Sequence, residues 1–260
     1  MTDLPFDLVI FDWAGTMVDF GCRAPVAALI AAFAGRGLDL DEATVRADMG
    51  KAKADHVRAL LAKPQVAIAW TRARGAASTE ADVAALMADL EPLMRDAAAA
   101  ASTLIPGAAA TVAELRRLGI KVASSTGYTR QMMGPVMTRA AEQGYAPDHL
   151  VCSGETPAGR PSPLMIYKTC AELGVWPLSR AVKVDDSEAG VEEGRNAGCF
   201  SVGLAASGNG LGLSLEAFEA LSAGEREARL EPVRASLRAA GADLVIDTVA
   251  ELVPALRGRG

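Results

Sequence analysis

The sequence predicts an α/β fold: a doubly wound, mostly parallel, Rossmann-like sheet core with an inserted all-α cap domain. Three observations predict it. Short apolar runs alternate with helical patterns from residue 105 onward. Leu8, Val9, Ile10 and Phe11 form an apolar run near the start, the pattern of a strand buried on both faces of a parallel sheet. Between the two, residues 25–102 contain no convincing strand. The helical stretch therefore interrupts a sheet already begun. The expected division is a core of residues 1–20 and 103–260 around a helical cap of residues 21–102.

Each element follows from local signals. The first strand ends at Asp12, and the chain turns on Gly15. Taken alone, Asp12 is as readily a helix cap as a ligand group at a strand end. Residues 20–25 are a turn-rich link, and 25–36 reads as a helix ended by Gly37. Residues 41–62 read as helical on either side of Gly50, with Pro64 as a stop. Thr79 and Asp82 form a capping-box pattern opening a helix over 81–101, with Pro92 placed to kink it. Residues 108–118 are a helix closed by Gly119, and 120–124 a strand leading into Ser125-Thr126-Gly127-Tyr128. A helix over 129–143, a strand over 149–152 and a helix over 163–173 follow. The next strand, 181–184, ends at Asp185-Asp186-Ser187. Then come a helix over 188–197, a strand over 199–203 and a flexible glycine-rich loop over 208–212. Residues 215–240 read as helical with a break near Gly224, and a strand over 244–246 and a helix over 248–256 end the chain.

Composition narrows the function classes. The 260 residues carry a formal net charge of −6 and no run of Lys or Arg, which argues against nucleic-acid binding. The Met1-Thr-Asp start has no basic n-region, so no secretory signal is read there. No stretch is apolar and long enough to span a bilayer. The four cysteines, Cys22, Cys152, Cys170 and Cys199, are scattered without metal-ligand spacing, as expected of reduced thiols in a cytoplasmic protein.

Three strand ends present polar groups: Asp12, Ser125-Thr126-Gly127, and Asp185-Asp186. Adjacent strand ends in a parallel sheet share one crevice. Adjacent carboxylates there repel each other unless a cation lies between them. Arg160, in Gly159-Arg160-Pro161, is suited to a phosphoryl oxygen, although alone it reads as a solvated loop charge.

Asp12-Trp-Ala14-Gly15-Thr16-Met-Val-Asp19 resembles the first motif of the haloacid-dehalogenase (HAD) superfamily, whose first Asp is a nucleophile. Thr126, Arg160 and Asp186 are similar to its later motifs, in order. Ala14 stands where the superfamily's phosphatases carry a general acid, and a methyl group cannot donate a proton. Asp12-Trp-Ala-Gly-Thr, and Met49-Gly50-Lys51-Ala-Lys53-Ala-Asp55-His56 in the cap, resemble the phosphonoacetaldehyde hydrolase (phosphonatase) branch in particular. Without that resemblance the Lys-rich segment reads as an exposed basic helix. The resemblance covers nearly the whole chain.

The resemblance implies a HAD-type core and a Mg²⁺-dependent enzyme cleaving the P–C bond of a small phosphonate. Asp12 would be the nucleophile and Lys53 the Schiff-base amine, with His56 and Tyr128 as further catalytic groups. Thr126, Gly127 and Arg160 would bind the phosphonate, and Cys22, Met49 and Gly50 would surround the aldehyde. The metal ligands would be Asp12, the Ala14 carbonyl and Asp186. The family further implies a homodimer through the cap. Gly190 departs from members with a second acidic group there, and Asp185 is the expected substitute. A P–C bond broken by attack on phosphorus expels a carbanion unless an iminium accepts the electrons. Ala14 and Lys53 are thus two consequences of one mechanism. The competing readings are a phosphatase for small phosphate esters and a non-catalytic binding protein on the same fold.

Overall fold

A computed structural model describes residues 4–258; the expectation drawn from Met1, Thr2 and Asp3 lies outside the described residues. Six strands, β1 (Leu8–Phe11), β2 (Lys121–Thr126), β3 (His149–Cys152), β4 (Ala181–Asp185), β5 (Phe200–Leu204) and β6 (Leu244–Ile246), form one all-parallel sheet. Its order is β3-β2-β1-β4-β5-β6, the Rossmann-like order, with the direction of winding reversing between β1 and β4. All four β1 residues are fully buried. Val9 and Phe11 face the main core with Val122, Val182 and Val184, while Leu8 and Ile10 face a smaller cluster with Ala123, Ile166 and Cys170. Such two-sided burial is why the strand reads as a continuous apolar run.

Between β1 and β2 lie α1 (Arg23–Ala34), α2 (Glu42–Arg46), α3 (Lys53–Ala62), α4 (Pro64–Arg74), α5 (Glu80–Ala100) and α6 (Ala108–Arg117). The first five form an all-helical insert. The insert joins the rest through α5, which packs on both α1 and α7 (Arg130–Glu142). Thr79 opens α5 with a complete capping box, and the helix continues through Pro92. The remaining helices are α8 (Leu164–Leu173), α9 (Glu188–Ala197), α10 (Leu215–Glu219), α11 (Ala223–Ala239) and α12 (Leu252–Arg257).

Three expectations are corrected. Pro64 stops α3 but also opens α4, because proline at the first helical position loses no hydrogen bond. The break in the late helix falls at residues 220–222, where Ser222 and Glu225 form a capping box; Gly224 lies inside α11. Residues 208 and 209 of the expected flexible loop, with Ser207 before them, are buried and hydrogen-bonded. No helix among the described residues is long and apolar enough to cross a membrane.

Candidate active site

Strand register builds the floor of the site. Phe11 pairs with Ser124 on one side and Val184 on the other. The next residue, Asp12, therefore stands level with Ser125 and Asp185, and its N–H donates to the Val184 carbonyl at 3.0 Å. Thr126 ends β2, and its hydroxyl accepts from the Tyr128 N–H at 3.2 Å. Gly15 adopts a left-handed φ of 83°, and a Cβ there would lie 2.4 Å from Asp186 Oδ2, so only glycine fits the turn. Asp186 accepts from the Thr16 hydroxyl at 3.2 Å and from the Asn209 N–H at 2.7 Å.

Behind this floor lies a buried charge network. Arg160 is 5% exposed, not a solvated loop charge. Its Nη1 lies 2.8 Å from Asp12 Oδ1 and 3.3 Å from Asp185 Oδ2. Its Nε donates to Glu193 at 3.0 Å, and its Nη2 to the Ser125 carbonyl at 2.6 Å. Lys183, fully buried on β4, pairs with Asp185 at 2.9 Å and Glu193 at 3.3 Å and donates to the Ser125 hydroxyl at 2.9 Å. The sequence reading missed Lys183 and the role of Glu193. The available signal was a lysine inside an otherwise apolar strand.

Electrostatics distinguish the three aspartates. Burial pulls Asp185 up, but Arg160 and Lys183 outweigh it and hold the carboxyl below its ordinary value. Burial raises Asp12 against the pull of Arg160. Burial, then Asp185 and Asp12, push Asp186 well up, and among the described residues no ion pair reaches it. Ligating oxygens of Asp12, Asp185 and Asp186 lie within 4.8 Å of one another. With Glu193 they make four buried carboxylates against two cations, Arg160 and Lys183. The surplus of two negative charges fits one divalent cation, and oxygen donors fit a hard one such as Mg²⁺. The Asp185 carboxylate occupies the space over Gly190, where a Cβ would come within 1.9 Å of Asp185 Cγ.

The insert supplies the roof. Lys53 is 4% exposed, and its Nζ lies 5.6 Å from the centre of the Tyr128 ring. Burial lowers the Lys53 pKa, partly opposed by the negative groups around it. Burial likewise holds the Cys22 thiol and the Tyr128 phenol protonated. Lys51 also reaches the cleft lining, but its ammonium pairs with Asp48 at 2.5 Å. Small residues let the insert seat closely: Cβ positions at Gly50 and Gly159 would clash with Ser187 and Ala52 across the junction.

The cleft is partly open and small, about 30 Å³. Its lining brings together Asp12, Ala14, Cys22, Met49, Gly50, Lys53, Thr126, Gly127, Tyr128, Arg160 and Asp186, and adds Pro25, Lys51, Ser187 and Asn209. Cys22 carries a left-handed φ of 50°, a strained backbone at the edge of the site. His56 is not part of the lining. It is fully buried, and its Nε2 donates to the Val45 carbonyl at 2.8 Å, which leaves Nδ1 as an unpartnered acceptor. Burial and the Lys53 charge hold its pKa down at about 3.

Comparisons with known proteins agree with this geometry. The model of the haloacid dehalogenase-like hydrolase family matches residues 6–198. The chain is 46% identical over 246 residues to a phosphonoacetaldehyde hydrolase of Paraburkholderia phytofirmans, covering 95% of this chain and 92% of the relative. It is 41% identical over 249 residues to one of Bacillus cereus, covering 96% and 94%. A crystal structure of a phosphonoacetaldehyde hydrolase-like protein from Oleispira antarctica superposes with a TM-score of 0.95 at 38% identity, covering 98% of this chain and 94% of that one. The chain is an enzyme that belongs to the haloacid dehalogenase-like hydrolases, in the phosphonoacetaldehyde hydrolase family.

Proposed function

We propose that this member of the family hydrolyses phosphonoacetaldehyde to acetaldehyde and phosphate, through a Schiff base at Lys53 and an aspartyl phosphate at Asp12. The observation that carries the reading is that Lys53 and Asp12 line one cleft in which position 14 is alanine. The names of the relatives support the substrate.

The neutral Lys53 amine adds to the aldehyde carbon, and loss of water leaves an iminium. An Asp12 carboxylate oxygen then attacks phosphorus. The P–C bonding pair moves into the iminium, and the carbon fragment departs as an enamine. Protonation at carbon and hydrolysis release acetaldehyde and free Lys53. Water attacks the phosphorus of the aspartyl phosphate, releasing phosphate and restoring Asp12. No alkoxide leaves, so an acid at position 14 has no task.

Tyr128 is assigned a catalytic part at the aldehyde end, with Cys22, Met49 and Gly50 enclosing it. His56, held neutral behind the lining, is assigned a hydrogen-bond acceptor's part through Nδ1. Thr126, Gly127 and Arg160 are assigned the phosphoryl oxygens; Arg160 Nη1, now on Asp12, is the donor nearest the attacking oxygen. Mg²⁺, held by Asp12, Asp186 and the Ala14 carbonyl, would neutralise charge on the nucleophile and the phosphonate.

The proposal includes a cap of residues 21–102, a cytoplasmic setting supported by four free buried thiols, and a homodimer through the cap. Ile68 on α4, 63% exposed, supports the last, and light scattering tests it. The reaction is tested by borohydride trapping. Phosphonoacetaldehyde with borohydride should inactivate the enzyme and leave a covalent adduct on Lys53. Brisk phosphate release from simple phosphate esters, with no adduct, would overturn the reading.

A further inference from the structure

We propose that Arg46 and Asn209 are positioning residues that make the seating of the helical insert and the setting of Asp186 one event. The loop of residues 207–212, buried over residues 207–209, grips both sides of the cleft. On the core side, the Asn209 N–H donates to Asp186 Oδ2 at 2.7 Å. On the insert side, Asn209 Oδ1 accepts from Arg46 Nη1 at 3.0 Å, and its Nδ2 donates to the Arg46 carbonyl at 3.1 Å. Both halves of the amide are thus used, in the one orientation that satisfies them. Arg46 Nη1 also donates to the Gly21 carbonyl at 3.0 Å, beside Cys22. The Arg46 guanidinium lies so close to Gly212 that a Cβ there would come within 2.9 Å of it.

Arg46 ends α2, seven residues before Lys53, and so travels with the segment that carries the amine. Lys53 is shut in, and the cleft holds little more than a water or two, so the insert must lift for a substrate to enter. Lifting breaks both Arg46–Asn209 hydrogen bonds. It frees the residue whose backbone fixes the Asp186 carboxylate, and reseating restores both together. No hydrogen bond or ion pair among the described residues joins Arg46 directly to Asp186; the loop of residues 207–212 connects them, and within it Asn209 bonds both.

The inference deepens the reading above and rests on it for the roles of Lys53 and Asp186, but its test uses no phosphonate. Arg46→Met keeps the apolar stem without the fork, and Asn209→Ala keeps the backbone N–H. In the full-length protein, Lys53 and Lys51 are labelled by formaldehyde and cyanoborohydride, and peptide masses give each rate, with the half-exposed Lys51 as reference. Each single variant should raise Lys53 labelling relative to Lys51 roughly tenfold, the scale of a lost charge-assisted hydrogen bond. The double variant should add little more. Titration with Mg²⁺ alone should show weakened affinity in Arg46→Met as well as in Asn209→Ala, which a purely structural helix end would not produce. Arg46→Lys, which keeps charge but loses the fork, should fall between and serves if Arg46→Met does not fold. Unchanged Lys53 labelling, additive singles, or Mg²⁺ affinity insensitive to Arg46 would overturn the coupling. A failed borohydride trap would leave these results unaffected and count against the reaction instead.

Discussion

Two lysines are buried on opposite sides of the same site, and their surroundings differ. Lys183, in the core, touches two carboxylates and a serine hydroxyl. Lys53, in the insert, makes no ion pair among the described residues and lies over the Tyr128 ring. Pairing makes Lys183 part of the scaffold that holds Arg160 and Asp185. Unpaired burial penalises the ammonium, as a Schiff-base amine requires.

The sharpest way to break this contrast is Lys53→Arg. It should retain the fold and the charge but lose P–C cleavage by several orders of magnitude, because guanidinium forms no imine. Lys51→Arg should be far milder, since the Lys51 ammonium is already paired with Asp48. Phosphate release from phosphonoacetaldehyde checks both, and near-normal turnover by Lys53→Arg would end the electron-sink mechanism.

Asp186→Ala comes next in size. Most activity at ordinary Mg²⁺ should disappear, and chelation of the native enzyme should do the same, reversibly on adding Mg²⁺. Activity indifferent to chelator would separate the acidic cluster from the reaction.

Stability sharpens the comparison directly. Lys183→Met leaves Asp12, Asp185 and Glu193 to share Arg160 alone and should cost about 3–5 kcal/mol in urea unfolding. Lys53→Met removes an unpaired buried amine and should leave stability unchanged or raised. Equal losses in the two variants would contradict the assigned difference.

The smallest expected effect is a slope with pH. The folded pKa of His56, about 3, lies below its ordinary value of 6.5. The unfolded chain thus binds the extra proton first. The contribution of neutral His56 is complete above pH 6.5 and is lost as pH falls toward 3. Below pH 6 the slope should approach about 1.4 kcal/mol per pH unit and be absent in His56→Gln. Parallel curves for the two proteins would show that His56 is not held neutral by burial.

Much of the core was legible because its signals are local. An apolar run ending in a polar residue places Asp12, Thr126 and Asp186 at strand ends, and a parallel sheet gathers strand ends into one crevice. The helix over Pro64–Arg74 was not legible. Val66 and Trp70 are its buried residues, too few to print a helical stripe, and its proline reads equally as a stop.

The sequence by itself determined the α/β alternation, the helical insert, the family, and the residue types at the strand ends. It left open whether Arg160 was a solvated charge and whether Lys53 lay on an exposed helix. Only the tertiary structure decided those, together with the Lys183–Glu193 support and the Arg46–Asn209 bridge. The physical reason is range. Periodicity, caps and turns are set by neighbours a few residues apart. The partners of Arg160 lie as far as 148 residues away along the chain, and those of Arg46 as far as 166, so sheet register and the close seating of one segment on another bring them together.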